Sequence, residues 1–276
     1  GLVGSEMCIR DRHGSLLTYE ATARFGLIGD VVGDLDIDGS VSTRFKLLGD
    51  SVTITGYGRF RNEAAPYLMN HYVSNHFIWD NDFGKTRSFR VGGRLSIPHT
   101  GTFLTAGVEN IQNYIYFNKN CMPVQHGGSV QIFSATLNQD LSFGPFNWNN
   151  KVTYQTSSEQ GIIPLPKLAI YSNMFLSFKV ARVLDVQLGV DCDYYTKYKA
   201  PGYQPATMTF YNQDEIDCGG YPFMNAYVNM KLSKTRFYVM FSHFNQGMTS
   251  NNYFSMPHYP LNPRKFQIGL SIDFAN

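Results

Sequence analysis

The stretch Lys265-Phe-Gln-Ile-Gly-Leu-Ser-Ile-Asp-Phe274 alternates polar and apolar residues without a break. Its apolar residues occupy every second position from Phe266 to Phe274, and polar or small residues occupy the positions between them. Because successive side chains of a β-strand point to opposite faces, this alternation predicts a strand with one apolar face and one polar face.

The same two-residue period recurs along the chain. It is regular in residues 17–27, 34–47, 88–97, 170–180, 186–190 and 224–232. Residues 102–117 and 126–143 alternate less regularly, and their spacing is the main reason to predict strands there. In all we predict about twelve strands, each long enough for the roughly 9–11 tilted residues that cross a bilayer.

The composition narrows the class of protein. Charged residues make up 16% of the chain, against roughly 25% in an average soluble domain. No apolar run approaches the roughly 18 residues that a membrane helix requires, so a helical membrane protein is excluded. A membrane β-barrel is permitted, because its strands are only half apolar. The formal net charge of +2 argues against a nucleic-acid-binding surface.

Short and long connections alternate between the predicted strands. Short turns are predicted near residues 48–50, 98–101, 143–145, 182–183 and 233–234, and longer connections near 64–81, 118–126, 158–167, 200–220 and 246–262. An up-and-down barrel with tight periplasmic turns and long extracellular loops requires this alternation. We therefore predict an all-β, transmembrane, antiparallel up-and-down barrel in an outer membrane, with its C-terminus periplasmic. The alternative is a soluble sandwich or lipocalin-like fold, whose apolar faces would point inward.

The first twelve residues differ in character from the rest. Residues 1–12 look like a translated sequencing adapter, so we predict that they are non-native and lie outside the fold. Residues 13–276 are then the C-terminal portion of a barrel whose N-terminal part is missing. With Cys8 set aside, Cys121, Cys192 and Cys218 have neither disulfide-framework nor zinc-site spacing. A bridge between Cys121 and Cys218 stays open, since both are predicted in loops at the same end.

Several loop segments resemble a known family. They are Ser74-Asn-His-Phe-Ile-Trp79, Asn113-Tyr-Ile-Tyr-Phe-Asn118, Leu165-Pro166, Tyr203-Gln-Pro-Ala206 and Tyr259-Pro-Leu-Asn-Pro263, together with the terminal strand. With these segments, residues 13–276 resemble the putative porin family of Bacteroidota. The resemblance implies an outer-membrane barrel that forms a diffusion pore. One departure is that Ala275 and Asn276 follow the last aromatic residue, whereas many barrels end on the aromatic itself.

Catalytic and cofactor motifs are not found in the sequence. It contains no Gly-x-Ser-x-Gly elbow, no His-Glu-x-x-His and no phosphate loop, so we predict no enzyme, no cofactor and no metal. Two weaker possibilities concern histidines. His71, His76, Asp80 and Asp82 could form an extracellular metal site, although hydrogen bonds that order the loop explain them as well. His243 could pair with a serine in a membrane-embedded hydrolase.

Charged residues on the polar faces are the candidate functional residues. If the apolar faces contact lipid, then basic and acidic side chains point into the barrel from separate groups of strands. The predicted pore-lining residues are Arg44, Arg59, Arg90, Arg94, Asp185, Asp191, Asp193 and Lys231. A basic wall opposite an acidic wall would orient dipolar solutes and tune ion preference. The alternative is the ordinary solvated charge of any water-filled lumen.

The sequence predicts a porin that allows passive diffusion of small hydrophilic solutes across the outer membrane. Its predicted partners are outer-membrane lipid and those solutes, not nucleic acid, and a homo-oligomer stays open. The connection at 200–220 is a candidate constriction. The alternative function is a plugged barrel that acts as a binding or secretion component through its extracellular loops.

Overall fold

A computed structural model describes residues 4–11, 17–47, 49–248 and 253–274. Within these ranges, thirteen strands form one antiparallel sheet in which each strand pairs with the next along the chain. The strands are β1 (Gly4–Asp11), β2 (Leu17–Gly26), β3 (Leu35–Leu47), β4 (Asp50–Glu63), β5 (Thr86–Ile97), β6 (Thr102–Gln112), β7 (Ser129–Phe143), β8 (Phe146–Ser157), β9 (Leu168–Val180), β10 (Leu184–Tyr195), β11 (Phe223–Leu232), β12 (Thr235–Ser242) and β13 (Lys265–Ile272). Twelve of them follow residue 13, which confirms the predicted number.

Short and long connections alternate as predicted. Short turns join β3 to β4, β5 to β6, β7 to β8, β9 to β10 and β11 to β12. At the turn between β9 and β10, Ala181 and Arg182 have φ values of 49° and 65°. Two successive left-handed residues match the right-handed twist of the flanking strands, which keeps this hairpin tight. Leu48 and residues 249–252, which belong to two of the predicted connections, lie outside the described residues.

The register joins the apolar faces of neighbouring strands into one surface. Directly opposed residues of antiparallel strands lie on the same face. One such row runs from β4 to β8 through Ile54, Leu95, Leu104, Leu137 and Val152. The alternation of each single strand therefore continues across the sheet, and the predicted apolar and polar faces are confirmed.

Large apolar side chains are exposed on the apolar face, where Leu188 and Ile268 are 47% and 69% exposed. Exposure on the polar face varies, from 9% for Asn225 to 52% for the side chain of Asp185. A soluble sandwich or lipocalin-like fold would cover its apolar face instead. The exposed apolar surface needs an apolar solvent, which a bilayer supplies.

Strand β1 lies at one edge of the sheet. It pairs with β2 from Gly4 opposite Gly26 to Asp11 opposite Tyr19. The pairing does not test the origin of this segment, so the prediction that residues 1–12 are non-native stays a prediction. Among the described residues, β1 and β13 each pair with one neighbour, and no pairing closes the sheet. In the same part of the chain, no helix is both long and apolar enough to cross a membrane.

The long connections carry small elements of their own. One helical turn, Tyr67–Asn70, precedes a short hairpin of His71–Val73 and Ile78–Asp80. Two further connections each contain a two-stranded ladder, one between Ile115–Phe117 and Pro123–Gln125 and one between Gly202–Gln204 and Thr209–Tyr211. A fourth ladder joins Phe254–Met256 to Tyr259–Pro260. The remaining elements are the 3₁₀ turns Gly29–Val31 and Pro98–Thr100.

Candidate functional site: the polar face of the sheet

All eight predicted pore-lining residues lie on the polar face. The register places Arg44 on β3, Arg59 on β4, Arg90 and Arg94 on β5, Asp185, Asp191 and Asp193 on β10, and Lys231 on β11, each on the face opposite to the apolar rows. The structure therefore brings them together on one surface of the sheet, in two groups separated by strands β6 to β9.

The first group is more acidic than the sequence suggested. Asp36 accepts two hydrogen bonds from the Arg59 guanidinium, at 3.1 Å from Nε and 2.8 Å from Nη2. Asp38 lies 3.2 Å from Arg59 Nε, and Arg61 Nε lies 3.6 Å from Asp36. The predicted basic wall is thus a mixed cluster in which two carboxylates offset part of the arginine charge. The sequence indicates this mixture of charges, because the two-residue alternation places Asp36 and Asp38 on the same face of the strand as Arg44.

Arg90 and Arg94 both lie close to the aromatic ring of Tyr57. Their guanidinium carbons lie 5.9 and 4.8 Å from the ring centre of Tyr57 on the neighbouring strand. The face of an aromatic ring has a negative potential and attracts a cation above it. This attraction holds both arginines near the sheet. Arg90 also stands directly opposite Arg59 on one side and Glu109 on the other. We name this group, which comprises Asp36, Asp38, Arg59, Arg90 and Arg94, the arginine cluster.

The second group also contains both signs of charge. Asp185 forms an ion pair of 3.3 Å with Lys179 and stands opposite Lys231 in the register. Asp191 accepts a hydrogen bond of 2.7 Å from Asn225 Nδ2. A cavity of about 490 Å³ lies at the short-turn end of this group, lined by Lys231 and Arg236 among others. We name the group Asp185, Asp191, Asp193 and Lys231 the aspartate cluster.

The two clusters overlap in height along the sheet. Arg59 is the tenth of the fourteen residues of β4, nearer the long connections, and Arg94 is the fourth residue from the short-turn end of β5. Asp185 is the second residue of β10, directly after a short turn, whereas Asp191 and Asp193 stand nearer the long connections. A solute that moves along the polar face therefore meets the two clusters at partly different depths.

Three tyrosines of the polar face each cover a glycine on a neighbouring strand. Tyr57 stands opposite Gly92, Tyr227 opposite Gly189, and Tyr238 opposite Gly269. A Cβ atom added at Gly189 would lie 2.6 Å from the Tyr227 ring. Tyr227 also donates a hydrogen bond of 2.8 Å to Asn173. These glycines therefore give the aromatic rings room to lie flat against the sheet.

We expect the substitution Gly189→Val to destabilise the folded protein by about 2 kcal/mol, because it displaces the Tyr227 ring and its hydrogen bond. Urea unfolding in detergent, followed by the gel mobility of folded and unfolded protein, measures the change. Gly56→Val is the matched control, since a Cβ atom at Gly56 meets no atom within 4 Å. Equal stability of the two variants would contradict the role of Gly189.

The candidate metal and catalytic histidines have other partners. His71 Nδ1 lies 2.5 Å from Asp80 Oδ1 across the short hairpin, and among the described residues no group of three or more His, Cys, Asp or Glu side chains could hold a metal. His243 is fully buried, with Tyr221 Oη at 2.8 Å from Nε2 and the Asn262 carbonyl at 2.7 Å from Nδ1. Both ring nitrogens of His243 are therefore occupied without a serine.

Cys121 and Cys218 are free thiols. Cys218 pairs with Tyr198 in an isolated β-bridge. Cys121 Sγ accepts a weak hydrogen bond of 3.6 Å from Gln204 Nε2. Burial raises the pKa of the Cys218 thiol, which keeps it protonated. The bridge that the sequence left open is not formed.

The long connections pack against one another at one end of the sheet. Tyr72 and Trp79 stack at 4.5 Å, and Trp79 meets Phe117 edge-on at 5.9 Å. Asn212 Nδ2 donates to the carbonyls of Gly161 and Ile162, at 2.9 and 2.7 Å. We name this set of contacts between residues 64–85, 113–128, 158–167 and 196–222 the connection layer.

An ion pair also belongs to the connection layer. Lys119 donates a hydrogen bond to Asp214, which holds the pKa of that carboxyl below its usual range. The predicted constriction at 200–220 lies in this layer, and its effect on the width of a channel stays a prediction.

Similarity to known proteins decides the family. The sequence model described as "Putative porin" matches residues 6–276. The chain belongs to the putative porin family. The resemblance found in the loop segments is thereby confirmed, and membership of this outer-membrane barrel family places the chain in the outer membrane.

Solved structures support the fold. A crystal structure of the ferric enterobactin receptor PfeA in complex with BCV-L6 matches with a TM-score of 0.60 and 15% sequence identity. The match covers 87% of this chain and 40% of the receptor, so the chain spans less than half of the receptor's length. This likeness confirms the all-β fold and the antiparallel meander, which matches part of the receptor's barrel. Closure of the sheet into a barrel is not among the pairings of the described residues. No curated protein matches the chain.

Proposed function

We propose that the protein is a porin through which small hydrophilic solutes diffuse passively. The observation that carries the proposal is the separation of the two faces over strands β2 to β13. A continuous apolar surface is exposed on one side, and a continuous polar surface with charged clusters lies on the other. A wall of this kind keeps lipid apart from water, which is the physical requirement for an aqueous pore.

The orientation follows from the connections. Outer-membrane barrels have short periplasmic turns and longer extracellular loops. We infer that the short turns and the C-terminus face the periplasm and that the connection layer faces the outside. Solutes would then pass the connection layer and the arginine cluster before they reach the cavity at the short-turn end.

The charges support selectivity rather than catalysis. In the arginine cluster, Arg59 stands opposite Arg90 and pairs with the carboxylates of Asp36 and Asp38. Glu109 stands opposite Arg90 on its other side. Mixed charge along a wet wall attracts dipolar solutes and admits ions of both signs, with a preference set by the local excess. No step of this function needs a cofactor.

Planar-bilayer recordings test the proposal. We expect the purified protein to produce stepwise, ohmic conductance increases in potassium chloride, because an enclosed water column conducts ions without gating by ligand. Protein unfolded by heat before addition is the control and should stay silent. Silence from protein that migrates as folded on a gel would contradict passive diffusion.

A binding barrel is the second candidate, and the connection layer favours it. Aromatic stacking and hydrogen bonds between four connections give a preformed surface at one end of the sheet. Such a surface could hold a partner while the lumen is closed. The bilayer recording distinguishes the two candidates, since a closed barrel gives no steps.

A further inference from the structure

The apolar face carries two adjoining cavities near the long connections. One, of about 280 Å³, is lined by Phe60, Arg87, Phe89, Asn110 and Gln112 among others. The second, of about 440 Å³, shares Phe89 and Asn110 and extends to Gln131, Phe133 and Thr156. Both lie on the surface that we assign to lipid. An arginine and several amides are energetically costly on such a surface unless a polar partner binds them.

The register shows how polarity changes along this surface. The row next to the long connections is polar and contains Asn62, Arg87 and Gln112. In the next row Phe60 and Phe89 stand beside Asn110 and Gln131. Still closer to the centre the face is apolar, with Gly93, Ala106 and Ala135 in one row. Polar, aromatic and small apolar rows therefore follow one another as headgroup, interface and acyl chains do in a bilayer.

The guanidinium of Arg87 lacks a charged partner. Arg87 Nε donates a hydrogen bond of 3.2 Å to Asn62 Oδ1, but among the described residues no carboxylate lies within ion-pair distance of the guanidinium. Asn110 lines both cavities beside it. The site therefore calls for an anion beside Arg87 with a polar group next to Asn110.

The small residues provide a place for acyl chains. A Cβ atom at Gly56 would meet nothing within 4 Å, and one at Gly93 would meet only a backbone oxygen at 3.7 Å. Phe89 stands above these positions and is 54% exposed. The apolar face is thus recessed directly below the two cavities.

We propose that this site binds a phosphate-bearing membrane lipid. Arg87 pairs with the phosphate, the polar headgroup lies beside Asn110 where the two cavities adjoin, and the acyl chains lie over the recessed rows beside Phe89. Guanidinium and phosphate match in geometry, since two parallel hydrogen bonds can form. A second copy of this chain is a poorer occupant, because it would have to supply an acidic group from its own apolar face. The proposal does not depend on whether the lumen conducts.

Native mass spectrometry of the full-length protein in detergent tests the site. The probe is lipid A, which carries phosphates, amides and hydroxyls, and the comparison lipid is the same molecule after removal of its phosphates. We expect one tightly held lipid A per protein, with binding about tenfold weaker for Arg87→Gln, since a charge-assisted pair is lost. Asn110→Leu should weaken binding of both lipids.

Arg236→Gln is the matched control, because it removes an arginine from the polar face, and it should bind lipid A as the wild type does. Arg87→Lys should bind with intermediate strength, since lysine keeps the charge but not the paired geometry. This variant also tests the site if Arg87→Gln does not fold. Equal binding by wild type and Arg87→Gln would overturn the proposal. So would displacement of the lipid by millimolar inorganic phosphate, or a cross-linked dimer through Arg87→Cys.

Discussion

Replacing Leu137 by arginine is expected to destabilise the protein in a bilayer by about 2–4 kcal/mol, the cost of a cation at the lipid-facing midplane of a barrel. Leu137 is the ninth of the fifteen residues of β7 and is 39% exposed on the apolar face. Its neighbours in the register, Leu104 and Val152, are apolar as well. The arginine would find neither water nor an anion near it.

The adjacent position provides the matched control. Asn138 follows Leu137 on the same strand and lies on the polar face, opposite Phe103 and Lys151. We expect Asn138→Arg to fold almost as the wild type does, since the new charge would be hydrated. Urea titration of folding into lipid vesicles measures both variants. Comparable losses for Leu137→Arg and Asn138→Arg would show that the two faces are assigned wrongly.

The two-residue period was sufficient to predict the strands and their faces. A strand keeps its polarity pattern whatever it pairs with, so residues 265–274 and 17–27 could be assigned alone. The period also excludes a one-residue slip of the register, because such a slip would bring polar side chains onto the apolar face, but it does not exclude a two-residue slip. The short turns also needed only local information. For these reasons the faces of the sheet could be predicted, and all eight residues predicted to line a pore lie on its polar face. That they line a pore stays a prediction.

Partners across strands could not be predicted in the same way. Whether Asp36 meets Arg59 depends on the register of β3 and β4, and the sequence shows only that both share a face. The fit of Tyr227 over Gly189 depends on the pairing of β10 and β11. The contact of Asn212 with Gly161 joins connections that are about fifty residues apart. Such contacts follow from the folded geometry, and the charge balance of the lumen depends on them.

The second large effect concerns ion preference. We expect the double variant Arg59→Ala with Arg90→Ala to shift the selectivity of the channel toward cations. Both arginines stand on the polar face, and their removal takes away two of the positive charges near Asp36, Asp38 and Glu109, although Arg61 stays 3.6 Å from Asp36. The arginine cluster would then change from a net positive to a net negative charge, because Arg94 is the one arginine of the cluster left beside the two carboxylates.

Coulomb's law sets the size of the shift. A unit charge about 10 Å from a permeating ion in water changes its energy by about 0.4 kcal/mol, and salt near 0.1 M reduces this roughly threefold. Two lost charges act in opposite directions on cations and anions, so the ratio of their permeabilities should rise by about threefold. Reversal potentials across a salt gradient measure that ratio.

Arg87→Ala is the control for this experiment. Arg87 lies on the same strand as Arg90 but on the apolar face, so the substitution removes one positive charge from outside the lumen, half of what the double variant removes. An unchanged reversal potential for Arg87→Ala, together with the shift in the double variant, would locate the permeation path on the polar face. A shift for Arg87→Ala half as large as that of the double variant would mean that the effect comes from the net charge of the protein and not from the wall of a pore. No shift in the double variant would mean that ions do not pass the arginine cluster, even if the protein conducts.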